Sequence, residues 1–160
     1  MVDATRRTTH FKLHWSKLIH MSSILRAFPF LTLAHAIVVL RVVTAILFLA
    51  HAVVRIYNGT IPGFAEFLSA RGWPMALLIV WSITVAEIVS GVLLIVGRCV
   101  RWGVAALLFI DVMGIVIIHA KLGWFVGEHG TGGVEYSLAL AVSLLTIAAA
   151  DREKNSTYSH

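Results

Sequence analysis

The chain is expected to be all-α: an integral membrane four-helix transmembrane bundle with an N-terminal interfacial amphipathic helix. Three observations predict this class. Of its 160 residues, 59% are hydrophobic and 13% charged, against ~45–50% and ~25% in a soluble domain, and mean hydropathy is +0.88. The apolar residues form blocks of helix-spanning length rather than recurring at amphipathic spacing. Basic residues collect in alternate connections between the blocks.

Cutting the blocks at charges, Gly and Pro gives four spans. They are HAIVVLRVVTAILFLAHAVV (35–54), PMALLIVWSITVAEIVSGVLLIVG (74–97), WGVAALLFIDVMGIVIIHA (102–120) and VEYSLALAVSLLTIAAA (134–150). Each is close to the ~20 residues that cross a ~30 Å hydrocarbon core. Pro29 marks a kink ahead of the first span. AHA (34–36), after a basic leader and a short apolar stretch, has the form of a signal-peptide cleavage site, but hydrophobicity continues to Val54. The expected organisation is therefore a basic leader (1–30), a transmembrane domain (31–151) and a short tail (152–160).

In the leader, Phe11, Trp15, Leu18, Ser22 and Leu25 recur at helical spacing, and His10, His14 and Lys17 form a separate stripe. That pattern predicts a helix lying on an anionic membrane surface, with a disordered basic tail as the alternative. Arg6, Arg7, Lys12, Lys17 and Arg26 precede the first span, Arg98 and Arg101 sit between the second and third, and Arg152 and Lys154 follow the fourth. The opposite connections hold only Arg55, Arg71 and Lys121. The positive-inside bias predicts the inner membrane, with both termini cytoplasmic. It also accounts for the net charge of +5 without nucleic acid, for which no motif or basic stripe with interleaved aromatics is present.

Cys99 is the single cysteine, which excludes an internal disulfide, a CxxC relay, a thiolate iron–sulfur site and CxxCH haem attachment. GEHGTGG (127–133) matches neither a P-loop nor a dinucleotide fingerprint. The chemistry-bearing residues are those buried in the spans: Arg41, His51, Glu87, Asp111, His119 and, at the start of the fourth span, Glu135. Counting from the cytoplasmic ends at ~1.5 Å per residue, Arg41, Glu87 and Asp111 lie about 9–15 Å deep, and His51 and His119 about 24–27 Å deep. An inner layer and an outer layer result. At 100° per residue, Arg41 and His51 share a face of the first span, and Asp111 and His119 a face of the third. Ser82, Ala86 and Ser90 form a ridge of small residues that permits close helix approach.

In the inner layer, Arg41 is expected to pair with Glu87, with Asp111 beside them as a structural or proton-relay group. In the outer layer, His51, His119 and Glu135 form a candidate proton-exchanging site. Trp124 and Phe125 in the adjoining loop suit the interfacial aromatic belt. Glu135 also suits the first turn of a helix as a carboxylate matched to its dipole. Two His with a carboxylate, or two facing His, are ligand types for a metal or haem b, but no diagnostic spacing accompanies them and no metal is assigned.

The order LR (40–41), HAVVRI (51–56), EIVSG (87–91), IHAKLGWF (118–125) and GGVEY (132–136) resembles the DoxX family of small four-span membrane proteins. The resemblance covers about residues 36–150 and places Arg41, His51, Glu87, His119 and Glu135 on family-typical positions. Ala52 stands where a glycine is usual, Arg55 where a lysine is common, and Lys121 or Leu122 where asparagine is frequent. Some DoxX proteins are subunits of a thiosulfate:quinone oxidoreductase. By resemblance, this chain would be an accessory subunit of a quinone-linked membrane oxidoreductase, with quinone the cofactor implied, protein partners in a complex, and electrons supplied by a partner. The competing class is a non-catalytic scaffold or assembly subunit. A solute carrier is a weaker third, since no inverted repeat or broken helix pair is present.

Overall fold

A computed structural model describes residues 28, 30–125 and 133–157. The expected leader helix and the Pro29 kink lie outside the described residues, as does the stretch 126–132. The chain divides after Ala36 into two units. In the described part of the first, the Phe28 and Phe30 rings meet edge to face with centroids 6.1 Å apart. The Thr32 hydroxyl there accepts the His35 N–H at 3.3 Å, capping the first helix.

The helices are α1 (Leu33–Tyr57), α2 (Ile61–Ser69), α3 (Ala76–Val96), α4 (Val100–Ile117) and α5 (Val134–Thr157), with a 3₁₀ turn at His119–Lys121 after α4. No strand occurs among the described residues. All but α2 are long and apolar enough to cross a membrane. Their outward faces are apolar: Val43 and Ile46, Val85 and Val89, Phe109 and Val116, and Leu138 and Val142 are all exposed. Polar groups are inside, where Thr44, Thr84, Glu87, Ser90, Asp111 and Ser137 are buried. This inverts a soluble protein and makes the chain a multi-pass membrane protein.

Ala45 and Phe48 of α1, Leu94 of α3, Val104 and Leu107 of α4, and Leu140, Leu144 and Ile147 of α5 share one core. A β-carbon on Gly91 would stand 2.6 Å from Leu49 Cγ, so α1 and α3 approach where α3 has no side chain. Of the expected small-residue ridge, Ser90 is buried, with its backbone against Gly103 of α4. Ser82 instead faces outward and donates to the Leu78 carbonyl at 2.8 Å.

Gly97, with φ 75°, closes α3. Its N–H and that of Arg98 reach the Leu93 carbonyl at 2.9 and 3.1 Å, and α4 starts within three residues. At the same end Arg101 pairs with Asp151 of α5 at 3.5 Å. The fourth span, α5, continues past its apolar block to Thr157. The third span, Val100–Lys121, contains the expected 102–120, but its regular helix stops at Ile117, and Ile118, with φ −118°, turns the chain into the 3₁₀ turn.

Sequence reasoning did not anticipate α2, which lies between the first two spans. Pro62 occupies its first turn, where no backbone donor is needed. Ile61, Ala65 and Leu68 pack from it onto Ala76 and Val80 of α3.

A candidate small-molecule site in the bundle

Opposite the α3–α4 hairpin, a cavity of about 800 Å³ lies between α1, α2, α3, α4 and α5. That volume suits a small organic ligand. Its wall is mainly apolar and aromatic, with Phe48, Phe64, Trp73, Ile83, Phe109 and Ile117 among the lining residues. His51, Arg55, Glu87, Asp111, His119, Tyr136 and Ser137 supply its polar groups. Residues expected in separate inner and outer layers thus share one cavity.

The strongest interaction at the site was assigned differently by depth counting. Glu87 pairs with Arg55, not Arg41: Arg55 Nη1 donates to Glu87 Oε2 at 2.7 Å and Nη2 to Oε1 at 3.4 Å. The reason is register. Leu49 lies opposite Gly91 and Arg41 opposite Gly97. In that antiparallel alignment Arg41 and Glu87 are offset by about 15 to 18 Å at ~1.5 Å per residue. Arg55, in the last turn of α1, is nearly level with Glu87. Its side chain turns back into the bundle and Nη1 also donates to the Thr84 hydroxyl at 2.9 Å. Thr84 in turn donates to the Val80 carbonyl at 2.8 Å. The Arg55 guanidinium also lies 5.6 Å from the Phe64 ring centroid, against α2. Four hydrogen bonds and an aromatic face therefore fix the charge pair in the cavity wall.

Asp111 is buried on α4, where the Ser137 hydroxyl of α5 hydrogen-bonds its carboxyl. Its Oδ2 is buried with no hydrogen-bond partner. His119 was expected on a continuous helix eight residues beyond Asp111. It instead occupies the 3₁₀ turn, and its ring packs 3.9 Å from where a β-carbon of Gly114 would stand. This fold-back keeps His119 in the cavity wall despite the early end of α4. Its Nδ1 is likewise buried and without a partner. His51 is near enough for the two rings to interact electrostatically.

Glu135 lies in the first turn of α5 but is not among the residues lining the cavity. The next two residues, Tyr136 and Ser137, do line it. The start of α5 is held by the preceding loop: the Val134 N–H donates to the Gly123 carbonyl at 3.2 Å and the Glu135 N–H to the Trp124 carbonyl at 3.1 Å. Two donors that a helix start leaves free are thereby satisfied. Gly133 makes this approach possible, because a β-carbon there would collide with the Trp124 and Phe125 backbone. Trp124 and Phe125 are exposed. Among the described residues no group of three His, Cys, Asp or Glu is arranged to hold a metal ion.

The DoxX family model matches residues 36–120, just over half of the chain. The match includes α1 to α4 from Ala36 onward, hence Arg41, His51, Arg55, Glu87, Asp111 and His119. No curated protein and no solved structure matches the chain.

Proposed function

Because this chain belongs to the DoxX family of multi-pass membrane proteins, we propose that it is a redox-linked subunit whose cavity receives a quinone headgroup. The observation that carries this reading is the convergence of unpartnered buried polar atoms, Asp111 Oδ2 and His119 Nδ1, in an aromatic-walled cavity. Burying such atoms without a partner is costly, so a ligand that bonds them gains affinity. A quinone has the matching parts: a flat ring for the aromatic wall, and oxygens at its edges for polar groups.

When bound, a quinone supplies coupled electron and proton chemistry. The chain's own residues would orient it and handle protons. His119, His51, Asp111 and Ser137 line the cavity and would share this work, and Arg55, clamped by Glu87, would keep a guanidinium in its wall. Electrons would be supplied by a partner subunit, since the sequence carries no thiolate or haem-attachment motif. The Lys and Arg distribution supports an inner-membrane location with both termini in the cytoplasm.

The test is quinone binding by the purified protein. Lipid extraction should recover quinone, and a short-chain quinone should bind with a Kd that rises about tenfold in Asp111→Asn and in His119→Phe, the loss of one hydrogen bond to a polar or charged group. Helical content should be unchanged in both. Absence of quinone binding by the wild type would defeat the proposal. Within a purified complex, turnover per assembled complex should fall in the same variants; unchanged turnover with impaired assembly would instead favour the scaffold.

A further inference from the structure

With Glu87 bound to Arg55, Arg41 is left as a cation in a membrane helix with no ion pair among the described residues. Its Nε is buried with no hydrogen-bond partner. The guanidinium lies against the α3–α4 turn, where a β-carbon on Gly97 would stand 3.0 Å from Nη1 and 3.1 Å from Nη2. Although eight residues into α1, Arg41 is therefore level with the end of α3. That is the headgroup level of the bilayer, reached by a long side chain running along the helix. Arg98, exposed in the same turn, next in sequence to Gly97, adds a second charge at this end. Trp102, 81% exposed in the first turn of α4, is placed as an interfacial anchor. The nearby carboxylate of Asp151 is engaged by Arg101. The dipole at the end of α3 offers Arg41 a partial negative charge, about half a unit, and only near its terminus.

We propose that Arg41 and Arg98 form a binding site for the phosphate of an anionic lipid headgroup at the hairpin end of the bundle. The planar guanidinium suits two phosphate oxygens, and a lipid delivers that phosphate at the depth the turn occupies. The acyl chains would lie along the apolar outer faces of α1 and α3.

The test uses the full chain in mild detergent, titrated with phosphatidylglycerol, phosphatidylcholine or inorganic phosphate, with bound lipid counted by native mass spectrometry and Tm recorded. Wild type should bind phosphatidylglycerol at least about fivefold more tightly than phosphatidylcholine, corresponding to ~1 kcal/mol for one basic residue at an anionic surface. Arg41→Gln should remove that preference, Arg41→Lys keep part of it, and Arg98→Gln reduce it. Equal binding of the two lipids by wild type overturns the site, a result that stands even if Arg41→Gln fails to fold. So does a preference surviving in Arg41→Gln. An equal loss in Arg152→Gln, a change at an exposed residue near the end of α5, would make the effect general surface charge and overturn it as well. Stabilisation by inorganic phosphate equal to that by phosphatidylglycerol would overturn the lipid as the source.

Discussion

The Arg55–Glu87 pair is the residue-scale feature most open to measurement, because its side chains are only 15% and 5% exposed. Arg55→Met strands a carboxylate in the bundle and should cost about 3–5 kcal/mol, read as a lower Tm in detergent. Adding Glu87→Leu should recover most of that loss; a double variant as unstable as the two losses summed would mean the groups do not interact. Arg41→Ala and Glu87→Gln, by contrast, should combine additively to within about 0.5 kcal/mol, since their side chains occupy different levels. Sequence reasoning singled out Glu87, Asp111, His51 and His119, of which Glu87 and Asp111 are buried, His119 is partly buried and His51 is exposed, but it gave Glu87 the wrong partner. Ending the first span at the charge nearest its boundary placed Arg55 in a connection. An arginine in a last helical turn can instead fold back into the interior, and the i, i+4 spacing from His51 was the available sign that both share a face. The unpartnered state of Asp111 Oδ2 and His119 Nδ1 had no signature in the sequence at all, because it depends on what the other helices leave empty.

Among the elements, the four long helices were readable from apolar block length, which the bilayer dictates almost independently of packing. The short α2 was not, because a nine-residue helix contributes no block of that length. Its own signal was present in Pro62 at the start and in the Ile61, Ala65, Leu68 spacing. The helix contacts give two opposed expectations for adding side-chain atoms. Gly91→Val would push Leu49 away from a contact already at 2.6 Å for an added β-carbon, and should cost about 1–3 kcal/mol through overpacking. Gly63→Ala in α2 meets nothing within 4 Å and should stabilise by about 0.5–1 kcal/mol through helix preference. Thermal melts of the two variants check both signs. Stabilisation by Gly91→Val would show that α1 and α3 do not approach at that residue.

At the level of the whole molecule, Cys99 is an exposed, single thiol in the α3–α4 hairpin, which makes it a reporter of orientation. A membrane-impermeant maleimide should label it in inverted vesicles and leave it untouched in intact cells; labelling of intact cells would reverse the orientation read from Lys and Arg. The result fixes the end of α5 too, since Asp151 is tied to Arg101 beside the hairpin. The Arg55–Glu87 bond constrains how such a molecule is made. Its partners are 32 residues apart in the chain, an interval the ribosome takes roughly 2–6 s to cover. During that interval Arg55 has left the exit tunnel and its carboxylate has not. A lone arginine entering lipid is unfavourable, so the first hairpin should wait at the translocon and partition as one unit once Glu87 emerges. Nascent chains arrested before Glu87 should then remain extractable by alkali, and those arrested well beyond it should resist extraction.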